Sequence, residues 1–323
     1  MPEAVGASPE EGRSRFSVML VFFLIAVAAG LTMPVQSRAN GALGQYLKDP
    51  IAAATVSFGS GLLLLVLVLI LVPGPRAAAR SIVPVLRNRT IPRYYVLAGL
   101  IGAFVVVAQS ASVPFIGIAL FTVGVVGAQS VSGLLVDHWG LAPGGRRRIT
   151  PARVIGVVLM IAAVALSVSG RLNAGPGVAW WMALPLAAGF LMSFQQAANG
   201  HSARAYGSPL AATAVNFLAG FLGLTALWAL LHLGQGFPRL GGEWWMYLGG
   251  LCGCVFIAVN AWLLRHLGVL ATVIGTVAGQ LLGSLVLDLV LPAPGSRVGP
   301  ETVAGLLLTF AAMGIMNIRA RNR

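Results

Sequence analysis

Long apolar segments alternate with short polar ones along most of this chain of 323 residues. A bilayer core ~30 Å thick is crossed by about 20 mostly apolar residues in an α-helix. Such segments lie at residues 17–38, 51–73, 94–112, 115–136, 152–170, 178–199, 209–232, 245–264, 268–291 and 302–319. The pattern predicts an all-α integral membrane protein with ten transmembrane helices. Pro114, and Arg265 with His266, favour breaks where two neighbouring spans almost meet.

Composition and charge agree with this interpretation and give the chain an orientation. Of all residues, 58% are hydrophobic and only 9% are charged, which is untypical of a soluble domain. A net charge of +13 would suggest nucleic-acid binding in a soluble protein, but arginines beside membrane spans usually fix topology. With the amino terminus in the cytoplasm, sixteen of the 21 basic residues fall in inner segments. The positive-inside rule therefore predicts two cytoplasmic termini, and no nucleic-acid partner is expected.

The two halves of the chain repeat each other. Residues 29–61 match residues 188–220 at thirteen of 33 positions, at a fixed offset of 159. Apolar composition alone does not supply the polar matches, which are Gln36/Gln195, Asn40/Asn199 and Pro50/Pro209. A weaker match at an offset of 151 pairs Gly102/Gly253, Gln129/Gln280 and Asp137/Asp288. These matches divide the ten predicted spans into two groups of five.

An odd number of spans in each half predicts that the halves insert in opposite directions. They are then inverted repeats, related by a pseudo-two-fold axis in the membrane plane, as in many secondary transporters. The predicted organisation is a cytoplasmic tail at 1–16, five-helix repeats at 17–170 and 171–319, and a cytoplasmic tail at 320–323.

Carboxamide side chains recur at symmetric positions in the repeats. Gln36 and Asn40 share one helix face with Met33, and the same face recurs in the second repeat. Amides that face lipid would be costly, whereas amides around a common axis would line a polar path. The predicted substrate pathway comprises Gln36, Asn40, Gln109, Gln129, Gln195, Asn199, Asn260 and Gln280. The alternative is that these amides only hydrogen-bond one helix to another.

Few titratable groups are available for coupling or gating. No acid lies at mid-membrane depth in the predicted spans, and Asp137 and Asp288 lie at equivalent span ends. His201 stands just past Asn199 in the sequence. The candidates for coupling or gating are therefore Asp137, Asp288, His201 and Arg38. Solvation of a helix end is the alternative role for the two aspartates.

Enzymatic motifs are missing from the sequence. It contains no GxxxxGK[ST], HExxH or GxSxG pattern. Cys252 and Cys254 point to different sides of one predicted helix, which favours two free thiols over a disulfide or metal site. We therefore predict no catalytic residue, no metal and no cofactor.

The paired amide stretches resemble a known family. PVQSRANG at residues 34–41 and FQQAANG at 194–200 are each followed about nine residues later by a proline and a VxFxxG segment. These stretches are similar to the YdcZ-like family of the drug/metabolite transporter (DMT) superfamily, over roughly residues 17–319. The resemblance implies ten helices in two inverted five-helix repeats of the EamA-like kind, in a bacterial cytoplasmic (inner) membrane. It also implies export of a small metabolite or drug.

The resemblance defines neither a substrate nor catalytic residues. The small four-helix multidrug branch of the superfamily depends on a glutamate in its first helix, and this chain has none there. The sequence as a whole predicts a secondary transporter of a small polar or amphipathic solute that works by alternating access. The alternatives are a passive channel-like or scramblase-like pore and a structural membrane subunit. Membrane lipid and a small-molecule substrate are the expected partners, and a homodimer is left open.

Overall fold

The computed structural model describes residues 9–169, 177–267 and 269–316, and all regular structure in that part of the chain is helical. Its α-helices are α1 (Pro9–Leu47), α2 (Pro50–Leu71), α3 (Pro73–Arg87), α4 (Ala98–Ile116), α5 (Ile118–Trp139), α6 (Pro151–Ser169), α7 (Gly177–Tyr206), α8 (Pro209–Leu231), α9 (Gly249–His266), α10 (Val269–Val290) and α11 (Pro300–Met316). Short 3-10 helices at Arg93–Leu97 and Trp244–Leu248 lead into α4 and α9. The tail at 320–323, part of the tail at 1–16 and the predicted repeat boundary at 170/171 lie outside the described residues.

Each predicted span coincides with one of these helices, and α3 is additional. Seven helices in the described ranges are long and apolar enough to cross a membrane, and two more are apolar but shorter. Large apolar side chains remain on the outside of the bundle, as at Leu71 and Leu307, which are 73% and 63% exposed. Lipid accommodates such a surface, while helices satisfy their own backbone polar groups. The all-helical prediction is confirmed, and the count of ten crossings stays a prediction.

The sequence sets the beginnings of α2 and α8 in the same way. Asp49 and Ser208 have extended backbone and precede a proline at the first helical position. The Asp49 Oδ1 atom accepts hydrogen bonds from the backbone amides of Ile51 and Ala52, at 2.9 and 3.0 Å. Ser208 Oγ accepts a longer bond of 3.4 Å from the amide of Ala211. The repeat therefore includes the helix caps, although different residues supply them.

One predicted break lies three residues later than expected. Pro114 is inside α4, which continues to Ile116, and the chain turns at Gly117 with a φ of 80°. Glycine adopts this left-handed conformation without the steric cost of a side chain, so Gly117 and not Pro114 separates the helices. The other predicted break, at Arg265 and His266, coincides with the end of α9.

Helix α3 lies in the arginine-containing segment between two of the predicted spans. The residues Ile82 and Val85 pack against a buried cluster that includes Tyr206 at the end of α7. Ser81 Oγ donates a hydrogen bond to the Tyr206 carbonyl at 2.9 Å. Its arginines point away from this contact and are exposed: Arg76, Arg80 and Arg87. The helix is too short and too polar for a span, which is why the hydropathy pattern did not indicate it.

Equivalent helices of the repeats pack in equivalent ways. Helix α1 packs on α9 and α10, α7 packs on α4 and α5, α2 packs on α8, and α6 packs on α11. A Cβ atom on Gly30 would overlap the carbonyl oxygen of Thr276, and one on Gly189 would overlap that of Val125. Gly30 and Gly189 are matched residues of the repeat, so both halves use a glycine to bring these helices close together.

Candidate functional site

A cavity of about 260 Å³ lies among eight of the helices, bounded by all except α3, α6 and α11. None of the described residues that line it is ionisable. Its polar surface consists of hydroxyl groups and carboxamides, and the carboxamides are Gln36, Gln109, Gln195, Gln196, Asn199, Asn216 and Gln280. Carboxamides both donate and accept hydrogen bonds, so the walls suit a polar solute without requiring a particular charge.

Equivalent residues of the two repeats line this cavity together. The pairs are Met33/Met192, Gln36/Gln195, Ser37/Gln196, Phe58/Phe217, Gly102/Gly253, Val105/Phe256 and Val106/Ile257. Phe58 and Phe217 stack on each other with ring centroids 4.8 Å apart. A solute in the cavity is therefore surrounded by similar chemistry from both halves of the chain.

In the second repeat, three amides form a chain of hydrogen bonds. Gln195 Nε2 donates to Asn216 Oδ1 at 3.2 Å, and Asn216 Nδ2 donates to Asn199 Oδ1 at 2.7 Å. All three residues line the cavity. A Cβ atom on Gly102 would lie 2.6 Å from Gln195 Nε2, so the glycine on α4 leaves the space that this amide occupies.

In the first repeat, the matched amides have different partners. Asn40 is fully buried, and its Nδ2 atom donates to Gln109 Oε1 at 2.8 Å, which links α1 to α4. The Oε1 atom of Gln36 is buried and has no hydrogen-bond partner among the described residues. An unpaired buried polar group costs about 1–3 kcal/mol. Gln36 lines the cavity, so a hydrogen-bond donor on a bound solute would remove this cost.

Of the eight predicted pathway amides, some line the cavity and others do not. Five of them line the cavity: Gln36, Gln109, Gln195, Asn199 and Gln280. The other three are Asn40, Gln129 and Asn260, which are not among the residues that line its walls. Asn260 Nδ2 donates to the Phe256 carbonyl of its own helix at 2.8 Å. A role of the eight amides in a substrate pathway stays a prediction.

The two predicted aspartates lie at equivalent positions but make different contacts. Asp288 is 4% exposed and accepts hydrogen bonds from the backbone amides of Ile118, at 3.0 Å, and Ala119, at 2.7 Å. It therefore caps the beginning of α5, where a negative charge is favourable. Asp137 instead forms an ion pair with Arg153 on α6.

The other two candidates for gating contact backbone carbonyl groups. Arg38 Nε donates to the carbonyl of Leu291 at 3.2 Å, and its guanidinium lies 5.6 Å from the centre of the Trp245 ring. His201 Nε2 lies 3.1 Å from the Leu141 carbonyl oxygen in the connection between α5 and α6. All four candidates thus connect helix ends to neighbouring segments, and their role in coupling or gating stays a prediction.

The two ends of the cavity are not packed alike. At the carboxyl end of α1, a Cβ atom on Gly44 would lie 2.6 Å from the carbonyl oxygen of Ser110 on α4. The equivalent helices α7 and α9 make no comparable contact within the described ranges. Gly200 on α7 instead lies against Pro143 of the α5–α6 connection. Helix α4 therefore packs closely on α1 at this end, which we call the closed end, whereas α9 does not pack on α7 in the matching way.

A second cavity of about 280 Å³ lies next to this less closed end. Gln196 lines both cavities, so the two spaces adjoin at its side chain. Asp137 and Arg153 contribute to the second cavity, together with Ala142 and Pro143 of the α5–α6 connection. Gln196 therefore lies between the central cavity and the arginine-rich connection at residues 140–150.

Sequence reasoning missed two amides in the cavity wall, Gln196 and Asn216. Their equivalents in the first repeat are Ser37 and Ser57, so the requirement for an amide at both matched positions excluded both. Accepting any pair of polar residues at matched positions would have found them. Asn216 is the central member of the hydrogen-bonded chain, so the broader search would have been informative.

These features define the class as multi-pass helical membrane proteins with an uncharged internal cavity between two sequence repeats. A family model described as "Putative inner membrane exporter, YdcZ" matches residues 21–166 and 180–315. The chain therefore belongs to this YdcZ family of inner membrane exporters. Membership confirms the resemblance found in the paired amide stretches and assigns the protein to the inner membrane.

Comparisons beyond the family bear only on the fold. Ten chains among solved structures match this one. One of them, described only as a crystal structure of a protein, has a TM-score of 0.51 and 19% sequence identity, and the match covers 94% of this chain and 98% of that chain. No curated protein matches.

Proposed function

We propose that this protein is a secondary transporter that exports a small polar or amphipathic solute by alternating access of two inverted five-helix halves. One observation carries the proposal: the cavity is lined by equivalent residues of both repeats, while α4 packs on α1 at one end and α9 makes no comparable contact with α7 at the other. A passive pore needs an open path at both ends. The contact of α1 with α4, which includes the bond from Asn40 to Gln109, argues against such a path.

The repeat itself supplies a second conformation. In that conformation α7 packs on α9 as α1 now packs on α4, and Asn199 approaches Asn260 as Asn40 now approaches Gln109. Rocking of two inverted repeats around a fixed central site is the usual mechanism of such folds. A solute shifts the balance between the conformations to the extent that it binds one of them more tightly.

The distribution of arginines indicates which side of the membrane the less closed end of the cavity faces. The connection between α5 and α6 carries Arg146, Arg147 and Arg148, which the positive-inside rule assigns to the cytoplasm together with both termini. The less closed end of the cavity lies beside this connection. We therefore infer that the structure represents the conformation open to the cytoplasm.

Cysteine labelling tests this conformational proposal without knowledge of the solute. Ser37 and Gln196 are matched residues that both line the cavity, but Ser37 is only 3% exposed whereas Gln196 is exposed. In a background with Cys252→Ala and Cys254→Ala, Gln196→Cys should react with a membrane-impermeant maleimide in inside-out vesicles. Ser37→Cys should be much slower from either side. Equally fast labelling of both cysteines from both sides would support a passive pore instead.

Transport in liposomes tests whether the amides act on the solute. A solute that raises the melting temperature of the purified protein should show saturable counterflow in proteoliposomes. The double variant Gln36→Leu/Gln195→Leu should abolish this flux, because both side chains line the cavity. The control is Gln45→Leu, which removes an exposed amide of α1 outside the cavity wall and outside the predicted pathway, and should preserve flux. Unaltered flux in a folded double variant would contradict the proposal.

A further inference from the structure

The charge of the cavity wall restricts the solute. No described residue that lines the cavity is ionisable. A buried ion without a partner charge is strongly disfavoured. The nearest acidic side chain of the adjoining cavity, Asp137, is already paired with Arg153. A net-charged solute in the central cavity would therefore find no compensating charge there.

The amides of the cavity wall determine which hydrogen-bonding groups a bound solute needs on its edge. Gln36 presents an unpaired buried oxygen, while Gln195, Asn199 and Asn216 satisfy one another in part. Helix α9 approaches Gln36 at Gly253, where a Cβ atom would be in ordinary contact with Gln36 Oε1 at 3.4 Å. A solute that offers both donors and acceptors on one edge pairs with these groups, and a solute without donors leaves Gln36 unsatisfied.

The apolar part of the cavity wall determines the shape and size of the solute that fits. Phe58 and Phe217 stack on each other, and Phe121, Phe256, Met33 and Met192 complete an aromatic and thioether surface. Aromatic rings and methionine sulfur both pack well against a flat ring. The volume of about 260 Å³ corresponds to about nine water molecules at ~30 Å³ each. A single-ring compound is therefore of suitable size.

We propose that the solute class is an uncharged, planar aromatic molecule whose edge carries a carboxamide-like set of donors and acceptors. This inference rests on the proposed function, because it treats the central cavity as the transport site. The juxtaposition that carries it is an unpaired Gln36 oxygen beside the phenylalanine pair, in a wall without charge.

Four small probes that share one aromatic ring test the requirements for charge and for the hydrogen-bonding edge. Nicotinamide has the ring, the carboxamide edge and no net charge, and it should raise the melting temperature of the purified protein in detergent. Nicotinate adds a negative charge and 1-methylnicotinamide a positive one, and neither should stabilise the protein at the same concentration. Because aromatic faces attract cations, the cationic probe is the more demanding test of the charge requirement. N,N-dimethylnicotinamide lacks the amide donors and should also have little effect.

Variants identify the site at which the probe acts. Gln36→Leu should remove the stabilisation by nicotinamide, and Asn216→Ala provides a second variant should the first fail to fold. Gln45→Leu should leave the stabilisation unchanged, because this exposed amide of α1 neither lines the cavity nor belongs to the predicted pathway. Retention of the shift in folded Gln36→Leu and Asn216→Ala proteins would overturn the assignment to this site.

The outcomes separate this inference from the proposed function. Equal or greater stabilisation by nicotinate or 1-methylnicotinamide, or no stabilisation by any probe, would overturn the solute class. Saturable counterflow of a charged solute would preserve the transporter and overturn the class. Cavity-dependent binding of nicotinamide without any counterflow would preserve the class and overturn the proposed function.

Discussion

Asn40 and Asn199 hold equivalent places in the two repeats, yet they have different surroundings. Asn40 is fully buried and donates to Gln109 on α4, at the closed end of the cavity. Asn199 lines the cavity and accepts a hydrogen bond from Asn216 on α8. Asn260, the counterpart of Gln109, donates to a carbonyl of its own helix. Two closely similar sequences thus adopt two packing arrangements within one molecule.

Small differences between the repeats favour closure at the α1 end. Gln109 is one methylene longer than its counterpart Asn260, so it reaches further across the helix interface. Gly44 allows α1 to approach α4 closely, whereas its counterpart on α7 is Ala203. The comparison implies that equivalent substitutions should have unequal effects, and larger ones at the closed end.

We expect the largest inequality between Asp288 and its counterpart Asp137. The substitution Asp288→Ala leaves the backbone amides of Ile118 and Ala119 without their acceptor. At about 1–3 kcal/mol for each unpaired buried group, the free energy of unfolding should fall by about 3 kcal/mol. The Asp137→Ala substitution removes a partly exposed ion pair and should cost less than about 1 kcal/mol. Unfolding in mixed micelles measures both losses.

Asp288→Asn is the matched control for this comparison. It retains the shape of the side chain and one acceptor oxygen. It should therefore lower the free energy of unfolding by less than Asp288→Ala does. If Asp288→Ala and Asp137→Ala lowered the free energy of unfolding equally, the two aspartates would stabilise their helix ends to the same extent. That result would contradict the expected difference between the two ends of the cavity.

The second prediction concerns the close approach of α1 and α4. A leucine side chain at residue 44 would collide with the backbone of Ser110, because even a Cβ atom there lies 2.6 Å from the carbonyl oxygen. Overpacking of this kind typically costs 1–3 kcal/mol, and we expect about 2 kcal/mol for Gly44→Leu. The matched control, Ala203→Leu, changes the equivalent residue of α7 and should cost clearly less. Thermal unfolding in detergent measures both.

Labelling gives Gly44→Leu a second readout. If the collision opens the closed end, Ser37→Cys in the Gly44→Leu background should react faster with an impermeant maleimide from the external side. A slow reaction, together with an Ala203→Leu loss as large as that of Gly44→Leu, would contradict the assignment of the closed end.

The helices and the match between the two repeats could be predicted from the sequence for physical reasons. Apolar segments of about 20 residues follow from the thickness of a bilayer, whatever the details of packing. The matched Gln36/Gln195 and Asn40/Asn199 pairs indicated the repeat because polar residues rarely coincide by chance in apolar helices. Helix α3 was not predicted, because its amphipathic pattern is short and includes Pro84 within the helix.

The arrangement of the site was less accessible. The spacing of Gln36 and Asn40 gives their helix face but not how far α4 covers that face, so it did not show that Asn40 is buried outside the wall. Nor does a repeat indicate which end is closed, because both conformations of an alternating-access protein share one sequence. Asn216 was missed because its matched residue is Ser57.

The third prediction compares the caps of α2 and α8. Asp49 accepts bonds from two backbone amides and from Trp228 Nε1 at 2.8 Å, so it also connects the beginning of α2 to α8. Ser208 accepts a single bond of 3.4 Å. Removal of a cap costs about 0.5–2 kcal/mol, and we expect about 1 kcal/mol or more for Asp49→Ala and the lower limit for Ser208→Ala. The reverse order in thermal unfolding would contradict this difference between the repeats.

The smallest expected effect is also the most direct test of the comparison. A double-mutant cycle with Asn40→Ala and Gln109→Ala measures the energy of the bond that links α1 to α4. Hydrogen bonds between membrane helices average about 0.6 kcal/mol in such cycles, so a coupling of that size is expected. The matched cycle with Asn199→Ala and Asn260→Ala should give no coupling, because Asn260 donates to its own helix. A solute that stabilises the opposite conformation should raise the second coupling and lower the first. Equal couplings in both cycles, unchanged by solute, would mean that the two ends do not alternate.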